Sequence, residues 1–436
     1  MKTKHQINDS ILMITLGCAK NIVDSERLMR QFSENALNLE FDEENTTART
    51  VIINTCGFIG DAKKESIDTI LKYVSKKNNG LIDKLIIIGC LVQRYRNELP
   101  KELPEVDGFY GLNQINEIVT SLGYKYKHEL IGERFISTPA HYAYLKIAEG
   151  CNRKCSFCAI PLIRGKYTSF QIQTLVNEAS FLAQRGVKEL IIIAQDISSY
   201  GFDTYNSFHL PFLVEKLSEI EGIEWIRLHY AYPKDFPIDL LKVIENNPKV
   251  CKYLDIPFQH ISDKMLKMMR RGLDKDKIIR LIDKIRSSVP GIALRTTFLV
   301  GHPGETEKEF EELVNFIQET RFDRLGAFKY SHEENTYSGI HYKDNISLAT
   351  KNKRLDVIMS LQKNISFEIN KKRIGQEMEV LIDREDDSIF IGRTQFDSPD
   401  IDNEVIIKSK KPLKCGNFYN VLINDAYEYD LSGIRV

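Results

Sequence analysis

Three cysteines, Cys151, Cys155 and Cys158, lie within eight residues of one another. Thiolates are soft ligands that select iron–sulfur clusters, zinc or Cu(I). A structural zinc site normally has four protein ligands, and no fourth Cys or His stands near this triplet in the sequence. Three thiolates on a four-iron cluster would instead leave one iron open for a substrate. The spacing therefore favours a cluster, with a structural metal knuckle or three buried thiols as the alternatives.

Three further cysteines, Cys18, Cys56 and Cys90, each follow a short apolar run that predicts a β-strand. The runs are residues 11–16, 51–55 and 85–89. Ligands bind at the carboxyl edge of an open parallel sheet, so three thiols distant in sequence are expected to converge there. The alternative is three buried small hydrophobic side chains, the commonest state of a cytosolic Cys. Because all three thiols stand at strand ends, the pattern favours a second metal site.

The length, composition and charge of the whole chain limit the classes of protein to which it can belong. Its 436 residues, 42% hydrophobic and 28% charged, predict a soluble globular protein of two or three domains. The longest apolar run, 85–92, is too short to span a bilayer, and no secretory signal is visible. Six of the eight cysteines lie at strand ends or in the triplet, which indicates reduced ligands in the cytoplasm rather than disulfides. The net charge of −1 gives no global attraction to nucleic acid.

Strands and helices alternate in the N-terminal part, residues 9–125, and predict a small α/β domain with a parallel sheet buried on both faces. One helix is predicted over 23–35, with Asp24 and Ser25 as candidate N-caps. A second is predicted over 61–77. Its buried face is expected to contain Ile67, Ile70, Leu71 and Val74.

Residues 137–367 repeat the strand–helix unit six times, which predicts a partial (β/α)6 barrel rather than one of eight strands. The predicted strands are 144–148, 190–194, 226–230, 253–257, 294–300 and 325–330. The predicted helices are 172–184, 211–220, 237–245, 274–287 and 306–320. Barrel chemistry gathers at the carboxyl ends of the strands, and the cysteine triplet follows the first strand. A helix over 114–122 is expected in the segment that precedes the barrel.

The C-terminal segment, residues 370–436, contains short alternating strands that predict a small antiparallel β-barrel. The predicted strands are 378–383, 389–393 and 420–423, and a charged helix over 349–372 leads to them. From residue 376 onward there are 7 Lys and Arg against 13 Asp and Glu, a net charge of −6. A domain that holds tRNA phosphates should be basic, whereas an acidic barrel complements a basic protein.

Both cysteine sets, with the residues around them, resemble the methylthiotransferase family of radical S-adenosylmethionine (SAM) enzymes. The matching stretches are 17–21, 24–26, 54–59, 89–94 and 144–152. The resemblance spans essentially the full length. It implies an N-terminal domain in which Cys18, Cys56 and Cys90 hold an auxiliary [4Fe–4S] cluster, a radical SAM core and a C-terminal TRAM domain. In the core, the triplet would hold a second [4Fe–4S] cluster whose open iron chelates SAM and whose reduction generates a 5′-deoxyadenosyl radical.

The same resemblance implies four SAM contacts, at Phe157, Gln195, Gly301 and Glu305. Phe157 matches an aromatic position near the adenine. Gln195 matches the strand end that meets the amino group of the methionine part. Gly301 and Glu305 belong to a glycine-containing segment on the adenine side. Beyond the cluster ligands, no catalytic residue is assigned.

Other polar positions in the core are given no role in the chemistry. His260 and His302 are interpreted as structural histidines with satisfied hydrogen bonds. Phe170 stands where the family usually has an Arg, so the resemblance carries no anion contact to this position. Cys251 and Cys415 match no cluster position and are interpreted as ordinary thiols.

The matching stretches and the acidic tail favour the branch of the family that modifies ribosomal protein S12. That branch converts one aspartate to its 3-methylthio form. The β-carbon hydrogen of aspartate is not acidic enough for a side-chain base, so a radical must abstract it, and the cofactor supplies this chemistry. The implied partners are S12, free or in the small ribosomal subunit, and an electron donor such as a flavodoxin or ferredoxin. Neither a membrane nor direct tRNA binding is expected.

Two alternatives remain at the level of sequence. One is a tRNA adenosine methylthiotransferase of the same family with an unusual acidic tail. The other belongs to a different class, a non-catalytic metalloprotein that binds ribosomes through its tail and holds zinc in one or both thiol sites.

Overall fold

The computed structural model describes residues 10–35, 37–42, 46–387, 389–409 and 411–436. These residues form two units. The first contains the described part of Met1–Thr138, with Glu149–Asn152 and Ala159–Tyr167. The second contains Pro139–Ala148, Arg153–Cys158 and Thr168–Val436. Asp9, where the predicted N-terminal domain begins, lies outside the described residues.

The first unit is built on a five-stranded parallel sheet in the order β2-β1-β3-β4-β5. The strands are β1 (Ser10–Thr15), β2 (Asn38–Phe41), β3 (Thr50–Thr55), β4 (Lys84–Gly89) and β5 (Gly108–Tyr110). Alternate residues of β1 enter different cores: Leu12 and Ile14 pack on one face of the sheet, and Ile11 and Met13 on the other. The prediction of a parallel sheet buried on both faces is confirmed. Strands β2 and β5 were not predicted.

The helices of the first unit cover this sheet. They are α1 (Ala19–Ser33), α2 (Gly60–Asn78), α3 (Cys90–Arg94), α4 (Leu99–Glu102), α5 (Ile115–Ser121) and α6 (Ile160–Arg164), with a 3-10 turn at His128–Leu130. Helix α1 begins at Ala19 with Cys18 as N-cap, so the prediction that Asp24 or Ser25 caps it is wrong. The Ser25 hydroxyl instead accepts hydrogen bonds from Thr15 Oγ1 and Asn54 Nδ2, which ties α1 to the sheet.

The buried face of helix α2 is narrower than its apolar pattern predicts. Ile70, Tyr73 and Val74 are buried, but Leu71 is 48% exposed. The prediction for Leu71 is therefore wrong. Successive helical residues are about 100° apart around the helix axis, so a face centred on Ile70 and Val74 leaves Leu71 toward the solvent.

The second unit contains six parallel strands, as predicted, in the order β13-β12-β11-β10-β9-β6. In chain order the six strands are β6 (Tyr142–Lys146), β9 (Glu189–Ile193), β10 (Trp225–Leu228), β11 (Val250–Asp255), β12 (Ala293–Val300) and β13 (Arg324–Lys329). Between β6 and β9 in the chain, the two-residue strands β7 (Ala148–Glu149) and β8 (Thr168–Ser169) form a separate small sheet, and Glu149 of β7 belongs to the first unit. The six strands form a sheet with two ends, which fits a partial barrel.

Helices of the second unit follow these strands. They are α7 (Ile172–Gln184), α8 (Phe202–Tyr205), α9 (Leu210–Ser218), α10 (Asp239–Asn246), α11 (Asp263–Met268), α12 (Lys275–Ser288), α13 (Glu307–Thr320), α14 (Tyr337–His341) and α15 (Leu348–Lys371), with a 3-10 turn at Ile197–Ser199. Asp274 caps α12, and a capping box of Thr306 and Glu309 begins α13. Within the described ranges, none of the helices is both long and apolar enough to cross a membrane.

The chain ends in a closed five-stranded barrel in the order β14-β15-β16-β18-β17. Its strands are β14 (Glu377–Asp386), β15 (Ile389–Arg393), β16 (Val405–Lys408), β17 (Phe418–Ala426) and β18 (Leu431–Arg435). Four pairings are antiparallel, as predicted, but β16 and β18 pair in parallel. Strands β16 and β18 were not predicted.

Buried ion pairs attach this barrel to the amino ends of the six parallel strands. Glu189, the first residue of β9, lies 2.7 Å from Arg227 Nε and 2.8 Å from a terminal nitrogen of Arg393 on β15. Arg393 also binds Asp383 on β14. Arg324, the first residue of β13, pairs with Asp397. The C-terminal barrel thus packs at the end of the sheet opposite to the one where the chain leaves β6 toward Cys155.

The charge on Glu189 is stabilised by its two partners. Burial alone would raise the pKa of Glu189, but Arg393 and Arg227 outweigh burial and hold that pKa below its ordinary value. A carboxylate with a lowered folded pKa stabilises the fold above its unfolded pKa of about 4.3, and this contribution is lost as the pH falls through the folded pKa.

We expect Glu189→Gln to destabilise the second unit by about 3–5 kcal/mol at pH 7, because the buried Arg227 loses its carboxylate and the buried Arg393 keeps only Asp383. The single tryptophan, Trp225, packs edge-to-face on Phe418 of β17 at 4.9 Å between ring centroids. Its fluorescence during thermal or urea unfolding therefore reports on this junction. The exposed Glu221→Gln is the control. Equal unfolding midpoints for the two variants would show that the ion pairs do not hold the barrel.

Candidate iron–sulfur sites

The structure places three thiols at the carboxyl edge of the first sheet. Cys56 and Cys90 directly follow the neighbouring strands β3 and β4, and Cys18 stands three residues after β1. Gly17, at φ +90°, packs so closely on Cys56 that a Cβ there would lie 3.1 Å from Cys56 Sγ. A Cβ on Gly57 would lie 2.9 Å from the carbonyl oxygen of Cys90. The two glycines therefore permit a close approach that any side chain would prevent.

The environment of these thiols suits metal-bound thiolates. Burial raises the pKa of Cys90 to about 12 against the opposing effect of Arg164, and the neighbouring Cys18 and Cys56 raise that pKa further. Burial likewise raises the pKa of Cys56. Such thiols stay protonated until a cation replaces the proton, which couples metal binding to proton release.

A buried cation already stands beside them. Arg164 at the end of α6 directs Nη2 at Cys90 Sγ, 3.2 Å away, and at Asn21 Oδ1, 2.7 Å away. Its Nη1 binds Glu149. The set thus combines three converging thiols with one guanidinium, a combination that fits an anionic thiolate cluster.

The thiols are not arranged as ligands of one ion. In the described part of the chain, no three His, Cys, Asp or Glu side chains come together closely enough to share a single metal ion. The thiolates of a four-iron cluster bind different iron atoms, so they stand farther apart than the four ligands of a tetrahedral zinc.

In the second unit, Cys155 and Cys158 lie on the loop after β6. Arg271 Nη1 donates to Cys155 Sγ at 3.1 Å, and Tyr232 Oη is 3.5 Å from the same sulfur. Arg271 is buried, and Cys158 also lies within its electrostatic range. Cys151, four residues before Cys155, belongs to the first unit, where its backbone N–H donates to the carbonyl of Gly165 at 3.1 Å.

Of the four predicted SAM contacts, Phe157 and Gln195 occupy positions suited to a ligand. Phe157 packs against a small apolar cluster that includes Met269, Leu299 and Tyr330. Gln195 is half-buried two residues after the end of β9. Their contacts with SAM stay a prediction.

The other two, Gly301 and Glu305, are bound to each other in the loop after β12. Glu305 is buried and accepts hydrogen bonds from the Gly301 backbone N–H at 2.9 Å and from Arg354 of α15 at 2.7 Å. Burial raises the pKa of Glu305 to about 7, although Arg354 lowers it. In this structure Glu305 fixes the loop, and a direct SAM contact by either residue stays a prediction.

The prediction of satisfied hydrogen bonds holds for His302 but is wrong for His260, whose buried Nε2 has no hydrogen-bond partner among the described residues. His260 Nδ1 accepts from the backbone N–H groups of Ile261 and Ser262. His302 Nδ1 lies 2.9 Å from the carbonyl of Pro303, and its Nε2 lies 3.0 Å from Ser338 Oγ. Burial lowers the pKa of His260 to about 3 and that of His302 to about 4, so both rings are neutral at pH 7.

Arg164 and Arg271 are the site residues to which the sequence analysis gave no role. Each donates to one thiol, Arg164 to Cys90 and Arg271 to Cys155. An isolated Arg is one of 60 basic residues in the chain, and no spacing sets it apart. Only the fold brings each guanidinium to a cysteine.

Comparison with protein families divides the chain into three matched segments. Residues 145–317 match the radical SAM superfamily, and residues 374–436 match the TRAM domain. Residues 10–111 match a family described as uncharacterized protein family UPF0004.

Curated relatives match over nearly the full length. A protein of Cytophaga hutchinsonii named ribosomal protein uS12 methylthiotransferase RimO is 52% identical, with 99% of each chain covered. Proteins of the same name from Parabacteroides distasonis and Flavobacterium johnsoniae are 52% and 51% identical, over 97% and 99% of this chain and 98% and 99% of theirs. This chain belongs to the RimO family. Membership confirms the predicted radical SAM methylthiotransferase, with two [4Fe–4S] clusters and SAM as cofactors, over the non-catalytic alternative.

Two solved structures share the fold of this chain. The radical SAM methyltransferase TsrM from Kitasatospora setae aligns with a TM-score of 0.56 at 14% identity, over 76% of this chain and 77% of that chain. The cobalamin-dependent radical SAM enzyme OxsB aligns with a TM-score of 0.51 at 12% identity, over 81% of this chain and 56% of that chain. At these identities the likeness concerns the fold alone, and it agrees with the predicted radical SAM core.

Gly150, next to Cys151, provides a test of the triplet's backbone. It has φ +78°, and a Cβ there would lie 2.2 Å from the carbonyl oxygen of Lys166. Gly123, in the same unit and away from the cysteines in sequence, has φ +87°, but a Cβ added to it would meet nothing within 4 Å. Both alanine variants carry a left-handed backbone cost of about 1–2 kcal/mol, but only Gly150→Ala also displaces Lys166.

We expect Gly150→Ala to lose up to half of the iron bound after anaerobic reconstitution, because the strand-to-loop path into Cys151 shifts. Gly123→Ala should retain wild-type iron. Iron and labile sulfide assays measure both. Equal iron in the two variants would mean that the contact with Lys166 does not position Cys151.

Proposed function

We propose that this enzyme converts one aspartate of ribosomal protein uS12 to its 3-methylthio form. The observation that carries the proposal is the full-length similarity, near 52% identity, to proteins named uS12 methylthiotransferases. The two thiol sets support it, because methylthiolation needs one centre for the radical and another for the sulfur.

Within this proposal, the domains are residues 9–125, 137–367 and 370–436. Cys18, Cys56 and Cys90 hold the auxiliary cluster. The triplet from Cys151 to Cys158 holds the cluster that binds SAM. When bound, these cofactors supply the hydrogen-abstracting radical and the methylated sulfur that a protein side chain cannot supply.

The chain's own residues supply charge, shape and exclusion of water. Arg164 and Arg271 each place a buried positive charge at a thiol, which offsets the cost of burying an anion. Phe157, between Cys155 and Cys158 in the chain, packs in an apolar cluster with Met269 and Leu299. The Glu305–Arg354 pair fixes the loop that begins at Gly301, so the adenine side is shaped before SAM arrives.

The acidic charge of the C-terminal barrel favours a protein substrate over tRNA, but less of this charge is unpaired than the sequence count indicates. Of its 13 acidic residues, Asp383, Asp397 and Asp402 are directed inward, to Arg393, Arg324 and Arg295. Asp397 and Asp402 attach the barrel to the sheet, Asp383 pairs within the barrel, and all three carboxylates are balanced by guanidinium groups. Exposed acids on β14 remain, among them Glu377 and Glu379. The outer surface therefore lacks the basic character that tRNA phosphates require.

The remaining partners follow from the chemistry. The substrate is uS12, free or in the small subunit, and reduction of the clusters requires an electron donor of the flavodoxin or ferredoxin class. Because ribosomes are cytoplasmic, the enzyme acts in the cytoplasm. Direct tRNA binding forms no part of the proposal.

The roles of the two thiol sets can be separated by mutation. We expect Cys18→Ala to abolish methylthiolation of a uS12 peptide while it retains SAM cleavage, because the triplet is untouched. Cys155→Ala should lose both activities. Mass spectrometry of the peptide and chromatography of 5′-deoxyadenosine measure the two products.

Cys415→Ala is the matched control, since Cys415 is an exposed thiol outside both sets. It should retain both activities. Loss of SAM cleavage in Cys18→Ala would indicate that Cys18 is structural and has no separate role in sulfur insertion.

A further inference from the structure

Arg164 is a buried cation whose contacts converge from several parts of the first unit. Its side chain is 1% exposed. Its polar contacts are Cys90 Sγ at 3.2 Å, Asn21 Oδ1 at 2.7 Å, Glu149 Oε1 at 2.9 Å, Glu149 Oε2 at 3.0 Å and Asp24 Oδ2 at 3.4 Å.

These contacts divide between the two terminal nitrogens. Nη1 donates to the carboxylates of Glu149 and Asp24, and Nη2 donates to Cys90 Sγ and Asn21 Oδ1. Because the guanidinium is planar, the Glu149 contact fixes the direction in which Nη2 donates. An ion pair with Glu149 alone would require only Nη1. The arrangement therefore aims a hydrogen bond at the sulfur.

Asn21, the second acceptor of Nη2, is itself fixed to the strand ends that precede the other two thiols. Its Nδ2 donates to the carbonyls of Leu16 at 2.8 Å and Thr55 at 3.2 Å. Its backbone N–H donates to the carbonyl of Cys18 at 2.8 Å. The position of Arg164 is thus determined by the same strand ends that place the three thiols.

We propose that Arg164 is a positioning residue that raises the reduction potential of the auxiliary cluster through its hydrogen bond to Cys90. This rests on the proposed function, since it requires Cys18, Cys56 and Cys90 to hold that cluster. One-electron reduction adds negative charge to a cluster and its sulfurs. A buried N–H donor and a positive charge at a ligating sulfur stabilise that added charge, and hydrogen bonds to sulfur are known determinants of cluster potential.

The test uses the full chain with Cys151, Cys155 and Cys158 changed to Ala, so that only the auxiliary cluster loads. After anaerobic reconstitution, iron content is measured and a redox titration is followed by electron paramagnetic resonance. In this background, Arg164→Gln should lower the reduction equilibrium constant about tenfold, a shift of about 59 mV for one electron. Arg164→Lys retains the charge but not the planar fork, and its potential should lie between those of Arg164→Gln and the parent.

Arg134→Gln is the matched control. Arg134 is fully buried in the same unit and pairs with Glu26 at 3.2 Å, so its replacement removes a buried guanidinium while the Arg164–Cys90 hydrogen bond stays in place. Its potential should equal that of the parent. A general loss of packing would shift both glutamine variants alike and would overturn the proposal.

The outcomes separate this inference from the proposed function. A parent that binds no iron contradicts the auxiliary cluster itself. A parent that loads normally, with an unchanged potential in Arg164→Gln, contradicts only the role of Arg164. If Arg164→Gln does not fold, Arg164→Lys decides: a lowered potential supports the proposal, and a potential equal to the parent's overturns it.

Discussion

A thiolate inside a protein needs a positive charge to replace the water it has lost, and this constraint organises both thiol sets. Burial raises the pKa of Cys90, so in the proposed cluster site iron and a nearby guanidinium would together stabilise the thiolate. Each set has such a guanidinium, Arg164 at Cys90 and Arg271 at Cys155. The sheets supply the geometry, because strands that run in parallel present their carboxyl ends, and the cysteines that follow them, at one edge.

The sequence allowed the elements and the cysteines to be predicted because both depend on local patterns. Apolar runs marked all six strands of the second unit, and spacing marked the triplet. What was missed depends on tertiary context. Helix α1 begins at Ala19 because Gly17 turns sharply at φ +90°, and no local pattern distinguishes a buried Ser25 from a cap. Strands β16 and β18 are four and five residues long and pair in parallel, so only closure of the barrel defines them.

The sequence did not show which acidic residues of the C-terminal segment are exposed and which are buried in ion pairs. The net charge of −6 in the C-terminal segment suggested an acidic surface, yet two of its carboxylates, Asp397 and Asp402, lie in largely buried pairs that join the barrel to strands β13 and β12. The same pairs hold the TRAM barrel at the end of the sheet opposite to the loop that contains Cys155 and Cys158. Counting charges cannot distinguish an acid that attracts a partner from one that attaches a domain.

The most direct test of a two-cluster enzyme acting on uS12 is a mass spectrum of tryptic uS12 from cells with and without this gene. The predicted result is a methylthio mass increment on an aspartate-containing peptide that is present with the gene and lost on its deletion. An unchanged uS12 spectrum, with loss of methylthio-adenosine from tRNA instead, would contradict the substrate assignment. No change in either would contradict the enzyme itself.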